Sequence, residues 1–292
     1  WVDKQTKLRR YKSGLIRVGR KNGKALAIDT PIPTPDGWKQ MGDLSVGDLV
    51  FDESGQQCRV VATSEVMTGR PCMAVRFSDG TSIIADAGHQ WYTETKWHHR
   101  YVGGIWTTAE IGQTLLLGNG SKLERGHRMP VASALVLPQA PLEIHPYVLG
   151  CWLGDGTSAC ACITCSYKDK QIIDEIERCG VPIKENQSSN HNSGLYILSN
   201  GRRNMRDGKS VQAALRRLGV LGNKHIPPVY LRASQEQRMA LLQGLMDTDG
   251  YVSKEGQCEF TTTSATLRDG FWELACSLGY KPTLKTARAK LN

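Results

Sequence analysis

The sequence predicts an α+β protein with two folded domains, a first domain built of β-strands and a second in which helices and strands alternate. A chain of 292 residues is long enough to bury two cores. Residues 25–138 lack a long helical period and contain short strand-like runs separated by Gly, Asp and Pro turns. Residues 147–292 contain an internal repeat, in which a helix ending in Asp-Gly is followed by strands and a further helix.

A basic segment, residues 1–24, precedes the first domain. It holds nine Lys or Arg and one Asp, so it accounts for most of the net charge of +9. Within it, GLIRVGRKNGK (14–24) is typical of a strand and a phosphate-binding loop, whose Lys contacts phosphates and whose next residue, Ser or Thr, holds Mg²⁺. Here Ala25 follows Lys24, and the prolines of PIPTP prevent the helix that such a loop requires. The loop is interrupted at its last ligand.

The first domain is predicted from six strand-like runs between residues 25 and 138: LAIDT, DLVFD, RVVATSEV, CMAVRFSDGTSIIA, QWYTET and TLLLG. Their β-branched and aromatic residues, with turn residues between them, favour an all-β domain. A connector spaced by prolines follows, and we assign the linker to residues 139–146.

The second domain carries two matched stretches, VLGCWLGDG (148–156) and LQGLMDTDG (242–250). In each stretch two small residues are four positions apart and share one face of the predicted helix: Gly150 with Gly154, and Gly244 with Thr248. Two such faces allow the helices to pack backbone to backbone. The pattern therefore predicts that the two helices are in contact.

Each predicted helix ends at an acid followed by a glycine that we expect in the left-handed conformation, Asp155-Gly156 and Asp249-Gly250. Packing the helices side by side brings the two carboxylates together. Two such acids repel one another unless cations neutralise them, and the pair suits divalent ions that act on a phosphodiester. The alternative is a pair of ordinary helix ends with solvated aspartates. The occurrence of two matched copies favours the shared site.

A second basic stretch, residues 200–238, holds nine Lys or Arg against two acids. Such a stretch is commonly a solvated surface, but beside a predicted nuclease site it is a candidate contact to DNA phosphates. The candidate DNA-binding residues are Arg202, Arg203, Arg206, Lys209, Arg216 and Arg217.

Composition favours a soluble globular protein that does not enter a membrane, since 40% of residues are hydrophobic and 22% are charged. The nine cysteines lack the spacing of a small disulfide scaffold, which indicates a reduced, cytoplasmic setting. Cys160, Cys162 and Cys165, with Cys179 downstream, could suggest zinc, but buried small residues are the preferred interpretation. Because the first residue is Trp1 and the second copy of the repeat stops early, we expect the chain to be part of a longer protein.

In these paired helices, residues 147–292 resemble the LAGLIDADG (dodecapeptide) homing endonucleases. The resemblance implies a pseudo-twofold αββαββα domain that is monomeric because of its internal pseudo-symmetry. It also implies saddle-shaped sheets that grip double-stranded DNA. The acids at the eighth motif position, Asp155 and Asp249, would bind the catalytic Mg²⁺ ions.

The same resemblance assigns a third residue to the nuclease site. Lys224 in NKHIP (223–227) falls on the family's Lys before Ile-Pro, which would support the attacking water or the scissile phosphate. At the sixth motif position Asp247 fits the family pattern and Leu153 departs from it.

Residues 25–138 resemble the Hint-type splicing domain of inteins. LAIDTPIPTPDGWKQMGDLSVGDLVFDESG (26–55) is similar to the opening block, and SDGTSIIADAGHQW (78–91) is similar to the second block. In the second block a His, here His89, polarises the scissile amide. The resemblance implies a horseshoe-like β-domain that splices its host, the extein, in cis, with an endonuclease inserted after it.

Ala25 departs from the commonest inteins, which begin with Cys or Ser and open with an acyl shift that Ala cannot undergo. In a minority class, a Cys near the C-terminus attacks the N-terminal bond instead, and a Trp follows the His by two residues. Trp91 matches this class, as does Asp86 three residues before the His. The predicted junction is therefore Lys24–Ala25, with the attacking Cys and a terminal Asn expected beyond residue 292. The alternative is that Ala25 marks a disabled junction.

The interrupted loop resembles the ATPase motor of a phage terminase large subunit. This implies a terminase host in the cytoplasm of a phage-infected or prophage-bearing bacterium, and the missing Ser or Thr is expected just after the intein. We therefore predict a bifunctional element that splices at Lys24–Ala25 and cuts double-stranded DNA at the intein-free terminase gene. The alternative is a splicing element whose endonuclease has decayed into a DNA-binding or structural insertion.

Overall fold

The computed structural model describes residues 25–97, 100–117, 124–186, 192–199 and 210–287. These residues form two compact units. The first contains the described residues up to Ser133 and again residues 281–287, and the second runs from Ala134 to Tyr280. None of the described helices is long and apolar enough to cross a membrane.

The limits of the units differ from the predicted limits of 25–138, 139–146 and 147–292. Residues from Ala134 onward already belong to the second unit. The Leu135 N–H donates to the Ser277 carbonyl oxygen at 2.9 Å, and Ile144 is buried in the core of the second unit. At the other end, residues 281–287 belong to the first unit.

The first unit consists mainly of short antiparallel strands. Its described elements are β1 (Pro31–Thr34), β2 (Gly37–Gln40), β3 (Leu49–Phe51), β4 (Gln57–Arg59), β5 (Cys72–Arg76), β6 (Ser82–Asp86), β7 (Gln90–Trp97), β8 (Arg100–Thr107), α1 (Thr108–Thr114), β9 (Leu116–Leu117), β10 (Glu124–Arg125) and β11 (His127–Arg128). The pairs are β1–β2, β3–β4, β5–β6 and β9–β10, and a three-stranded sheet has the order β11–β7–β8.

Turn chemistry explains the β5–β6 hairpin, which ends at Asp86, one of the predicted splicing residues. Between β5 and β6 the Asp79 carboxylate accepts the Thr81 N–H at 2.9 Å. Gly80 has φ +93°, in the left-handed region that glycine favours. The resulting register places Cys72 opposite Asp86, the last residue of β6.

Two runs predicted as strands differ in the structure. Of RVVATSEV (59–66), only Arg59 lies in a strand, β4. In TLLLG (114–118) the paired residues are those of β9, because α1 extends to residue 114. A capping box starts α1, since the Thr107 side chain accepts the Glu110 N–H and the Glu110 carboxylate accepts the Thr107 N–H. The first unit is therefore predominantly β and not wholly β.

The second unit mixes helices and strands. Its described elements are α2 (Pro146–Asp155), β12 (Cys162–Ser166), α3 (Lys170–Arg178), β13 (Ile183–Asn186), β14 (Ser193–Leu198), α4 (Val211–Arg217), α5 (Pro228–Leu231), α6 (Gln235–Asp249), β15 (Gly250–Val252), β16 (Cys258–Phe260) and α7 (Ala265–Ser277). One antiparallel sheet has the order β12–β14–β13, and β15 pairs with β16.

This element order corrects the predicted αββαββα arrangement. The helix α3 separates β12 from the β13–β14 hairpin. It forms because Ile172, Ile173 and Ile176 share one buried side while charged residues occupy the other, which is the pattern of an amphipathic helix. The short helix α5 adds a further element before α6.

The helix α2 forms the centre of the second unit. Residues 146–153 are all buried, and Trp152 is fully enclosed. Leu241 and Leu245 of α6 and Leu274 of α7 belong to the same core. The core therefore fixes the two helices that carry the predicted acids.

Arg238 of α6 is a charged side chain that lies entirely inside this core, with an exposure of 0%. Its Nε donates to the Ala233 carbonyl oxygen at 3.0 Å, its Nη1 donates to the Ser277 hydroxyl at 2.7 Å, and its Nη2 donates to the Leu135 carbonyl oxygen. Burial lowers the pKa of the guanidinium to about 10, so it remains protonated at neutral pH. Arg238 therefore ties the first and last segments of the unit to α6.

Arg238→Met is expected to destabilise the second unit, because methionine fills space but leaves these buried oxygens without their donor. An unsatisfied buried acceptor costs about 1–3 kcal/mol, so the free energy of unfolding in urea should fall by about 2–5 kcal/mol. Arg268→Met is the control, since the Arg268 side chain is 43% exposed. Equal stability of Arg238→Met and the wild type would contradict this role.

Candidate functional site

The helices α2 and α6 lie in direct backbone contact. A Cβ added to Gly150 would lie 2.5 Å from the Leu241 carbonyl oxygen, and a Cβ added to Gly244 would lie 2.2 Å from the Tyr147 carbonyl oxygen. Such separations are far below van der Waals contact, so both positions require glycine. The prediction that the two helices pack backbone to backbone is confirmed.

The close approach continues to the ends of the helices. A Cβ added to Gly154 would lie 2.1 Å from the Thr248 hydroxyl oxygen and 3.4 Å from Asp249 Oδ2. The Thr248 hydroxyl is itself fixed, because it donates to the Gly244 carbonyl oxygen at 3.0 Å. Since Asp155 directly follows Gly154, the two acids end their helices at the same place.

The glycines that follow the acids do not adopt the expected left-handed conformation. Gly156 has φ −73° and ψ 148°, and Gly250 has φ −92° and ψ 157°, so both are extended. The reason for glycine is steric, because a Cβ on Gly156 would lie 2.2 Å from the Trp152 carbonyl oxygen and a Cβ on Gly250 would lie 2.3 Å from the Met246 carbonyl oxygen. Glycine lets the chain leave each helix directly in an extended conformation.

Lys224 lies against the ends of both helices. Its Nζ donates to the Gly154 carbonyl oxygen at 2.8 Å and lies 5.4 Å from the centre of the Trp152 ring. Burial lowers the pKa of the Lys224 ammonium, while the charges of Asp249 and Asp155 oppose that change. The structure thus brings together the three residues predicted for the nuclease site.

Burial and like charge also shift the two acids. Burial raises the pKa of the Asp155 carboxyl, and the negative charge of Asp249 raises it further. Burial likewise raises the pKa of Asp249, and the Lys224 ammonium opposes the rise in both acids. One ammonium beside two carboxylates leaves one excess negative charge when all three groups are ionised. A bound cation would offset that charge.

This pair of carboxylates fits a magnesium ion. Mg²⁺ takes one or two carboxylates from a protein, keeps several waters and binds substrate phosphates. Asp155 and Asp249 supply such a donor set, although no group of three His, Cys, Asp or Glu placed to hold a metal occurs among the described residues. Asp247, at the sixth motif position, accepts the Tyr147 hydroxyl at 2.8 Å, so it has a different partner.

The second candidate site lies in the first unit, next to Ala25. The Asp86 N–H donates to the Ala25 carbonyl oxygen at 2.9 Å, and the Ala27 N–H donates to the Ile84 carbonyl oxygen at 2.9 Å. The segment that follows the predicted junction therefore pairs with β6. The His89 N–H donates to the Asp86 carbonyl oxygen at 2.9 Å. Ala25 and His89 are thus both bonded to the backbone of one residue.

Trp91 packs against His89, with ring centres 4.6 Å apart and ring planes at 66°. The Trp91 Nε1 donates to the buried Thr108 hydroxyl at 2.9 Å. The Thr108 N–H in turn donates to the His89 carbonyl oxygen at 2.9 Å. The predicted splicing residues therefore lie together, and Thr108, which no sequence pattern marks, belongs to the same cluster.

Arg70 is a second residue that the sequence did not reveal. Its guanidinium makes two hydrogen bonds to the Asp86 carboxylate, from Nη2 to Oδ1 at 3.1 Å and from Nε to Oδ2. The hydrogen bond from Arg70 lowers the pKa of Asp86 despite burial, so the carboxylate is ionised. The two residues are 16 positions apart in sequence, a separation that carries no recognisable pattern.

Some predicted residues cannot be placed in either site. Residues Lys24, Arg202, Arg203, Arg206 and Lys209 lie outside the described residues. Arg216 and Arg217 lie in the last turn of α4. The Arg217 Nε donates to Glu143 Oε2 at 2.8 Å, so a carboxylate already binds the guanidinium that was predicted to contact phosphate.

The chain is similar in sequence to several known proteins. Residues 236–291 match the family model of the LAGLIDADG-like domain. The chain is similar to the replicative DNA helicase DnaB of Mycobacterium intracellulare, with 43% identity over 286 residues, 92% of this chain and 45% of that protein. It is similar to the homothallic switching endonuclease of Saccharomyces cerevisiae, with 27% identity over 201 residues, 60% of this chain and 33% of that protein. The chain thus spans less than half the length of each of these relatives.

A solved structure, the Msm DnaB1 intein splicing domain bound with zinc, is 54% identical to this chain. The match covers 29% of this chain and 62% of that one, with a TM-score of 0.25. The match to the LAGLIDADG-like domain covers the end of the second unit, including Asp247 and Asp249 of α6. The curated relatives of this chain are thus DnaB helicases and an endonuclease.

The predicted phage terminase host is not supported, and neither is a bacteriophage source. A relative that matches 92% of the chain is a replicative DNA helicase. Many ATPases share the phosphate-binding loop, so its interruption could not distinguish one host from another. The loop itself, within residues 1–24, lies outside the described residues.

Gly244→Ala is expected to separate α2 from α6, because the new Cβ would overlap the Tyr147 carbonyl oxygen. Overpacking of this kind costs about 1–3 kcal/mol, which corresponds to a Tm lower by about 4–10 °C. Gly112→Ala is the matched control, because its nearest neighbour is Met73 Sδ at 4.0 Å and alanine favours the helix. A Gly244→Ala variant with the wild-type Tm would show that the helices are not in backbone contact.

Proposed function

We propose that the chain combines protein splicing at Lys24–Ala25 with site-specific cutting of double-stranded DNA, and that its host is a replicative DNA helicase. The observation that carries the nuclease function is the convergence of Asp155, Asp249 and Lys224 at the ends of two touching helices. The similarity to DnaB supports the helicase host. The DNA target is then the intein-free copy of the helicase gene.

In the nuclease site, Asp155 and Asp249 would hold Mg²⁺. When bound, the ion supplies positive charge to the scissile phosphate and to the attacking water. Lys224 is held by the Gly154 carbonyl oxygen at 2.8 Å, and an ammonium has further protons to donate to a water or a phosphate oxygen. Asp249 and Lys224 are half-buried whereas Asp155 is exposed, so water screens the charge of Asp155 more than the charges of the other two groups.

In the splicing site, the chain's own residues prepare the Lys24–Ala25 amide. The Asp86 N–H donates to the Ala25 carbonyl oxygen and so holds Ala25 in place. The Ala25 nitrogen is the leaving group when the Lys24–Ala25 bond breaks. His89 is proposed to protonate that nitrogen while a downstream Cys thiolate forms a thioester with the Lys24 carbonyl carbon. Trp91, packed against the imidazole, limits the positions that His89 can take.

The endonuclease is tested by cutting of DNA that carries the uninterrupted helicase site in the presence of Mg²⁺. Asp155→Asn and Asp249→Asn should each abolish cutting and leave DNA binding largely intact, because affinity depends on Lys and Arg contacts to phosphates. Asp247→Asn is the matched control, since this acid on the same helix is bonded to Tyr147. Undiminished cutting by either variant would remove its acid from the mechanism. A wild-type protein that binds this DNA but does not cut it would favour the decayed endonuclease.

Splicing is tested with the complete precursor, including the Cys, Asn and following Ser or Thr expected downstream. With Ala25 in place the precursor should splice, and His89→Ala should block cleavage at Lys24–Ala25, as judged by gel electrophoresis and mass spectrometry. Gln90→Ala is the control, because this exposed neighbour lies outside the cluster. A precursor that does not splice with Ala25 but does splice after Ala25→Cys would identify Ala25 as a disabled nucleophile and contradict the proposal.

A further inference from the structure

Arg70 binds a buried charge at the splicing site and has no part in the chemistry proposed above. The Asp86 side chain is 2% exposed, whereas the Arg70 side chain is 39% exposed. We propose that Arg70 is a positioning residue for splicing: by holding the Asp86 carboxylate, it fixes the turn that joins the Ala25 segment to His89. This inference rests on the proposed splicing function.

The turn from Asp86 to His89 depends on three hydrogen bonds made by Asp86. Its carboxylate Oδ1 accepts the Gly88 N–H at 2.7 Å, an arrangement typical of an Asx turn. Its carbonyl oxygen accepts the His89 N–H at 2.9 Å, and its own N–H donates to the Ala25 carbonyl oxygen at 2.9 Å. Rotation of the Asp86 side chain would break the first bond and loosen the turn between the other two.

Arg70 is well placed to prevent that rotation. The next residue, Pro71, accepts the Ala87 N–H at 2.8 Å through its carbonyl oxygen. The following residue, Cys72, lies opposite Asp86 in the β5–β6 pairing. The guanidinium therefore extends from a backbone that is already attached to the turn. Its planar fork binds both carboxylate oxygens at once, which a lysine ammonium cannot do with the same geometry.

The guanidinium also balances charge beside His89. The groups that face this turn are the Asp86 carboxylate, the Arg70 guanidinium and the Cys72 thiol on the β5 side, the neutral Trp91 ring from β7, and the neutral Thr108 hydroxyl from α1. Without Arg70, the negative charge of Asp86 would stabilise the protonated imidazole of His89. His89 would then keep its proton to higher pH.

The charge effect is tested by an NMR titration of the His89 imidazole in the 292-residue chain, with its signal assigned from a His89→Gln variant. In Arg70→Met the titration midpoint of His89 should rise by about one pH unit. In Arg70→Met/Asp86→Asn it should return to the wild-type value, because the uncompensated charge is gone. Arg59→Met is the control for loss of an exposed arginine from the same unit and should leave the midpoint unchanged.

The positioning effect is tested by cleavage of the complete precursor over a range of pH. Arg70→Met should slow cleavage at Lys24–Ala25 by about tenfold or more and move the alkaline limb of the pH profile upward. In Arg70→Lys the alkaline limb of the pH profile should stay at its wild-type position, because the positive charge remains. The cleavage rate should recover only in part, because the ammonium lacks the planar fork of the guanidinium.

These outcomes separate this inference from the function on which it rests. A wild-type precursor that does not splice contradicts the proposed function, and the NMR titration, which needs no splicing, still decides whether Arg70 controls His89. A folded Arg70→Met variant with the wild-type midpoint and the wild-type cleavage profile overturns the role of Arg70. If Arg70→Met does not fold, Arg70→Lys decides, since full wild-type cleavage by that variant would show that the fork is dispensable.

Discussion

The backbone contact between α2 and α6 is the constraint on which the second unit depends. Gly150 and Gly244 permit the two helices to touch, and any side chain there would force them apart. The contact continues to Gly154, where Asp249 and Asp155 end their helices together. Burial raises the pKa of both acids, and the negative charge of Asp249 raises the pKa of Asp155 further. Packing that stabilises the unit thus creates a site that favours cations.

In the first unit, Asp86 has the central role that the α2–α6 contact has in the second. The backbone of Asp86 is bonded both to Ala25 and to His89, and its carboxylate is bonded to Arg70. Asp86 therefore connects the Ala25 segment to His89, the proposed proton donor, through backbone hydrogen bonds. The Trp91 ring packs against the His89 imidazole. The two sites share one feature, because in each a carboxylate lies beside a cation from another part of its own unit.

The sequence predicted the parts of the structure that repeat or follow a period. The four-residue spacing from Gly150 to Gly154 identified the touching helices, because close backbone approach demands small residues at that spacing. It did not predict Arg70 or Thr108, whose contacts join segments with no shared pattern. The prediction of a left-handed conformation at Gly156 was wrong. A glycine required to avoid a steric clash and a glycine required for a left-handed turn cannot be told apart from the sequence. The predicted terminase host is not supported for a similar reason, since many ATPases share the phosphate-binding loop on which that prediction was based.

The most direct test of the shared acidic site is a carbon-detected NMR titration of the Asp155 carboxyl without added metal. Because the negative charge of Asp249 raises the pKa of Asp155, Asp249→Asn should lower that pKa, whereas Asp247→Asn should change it much less. An Asp155 pKa that is the same in the wild type and in Asp249→Asn would contradict the claim that α2 and α6 bring the two acids into one site.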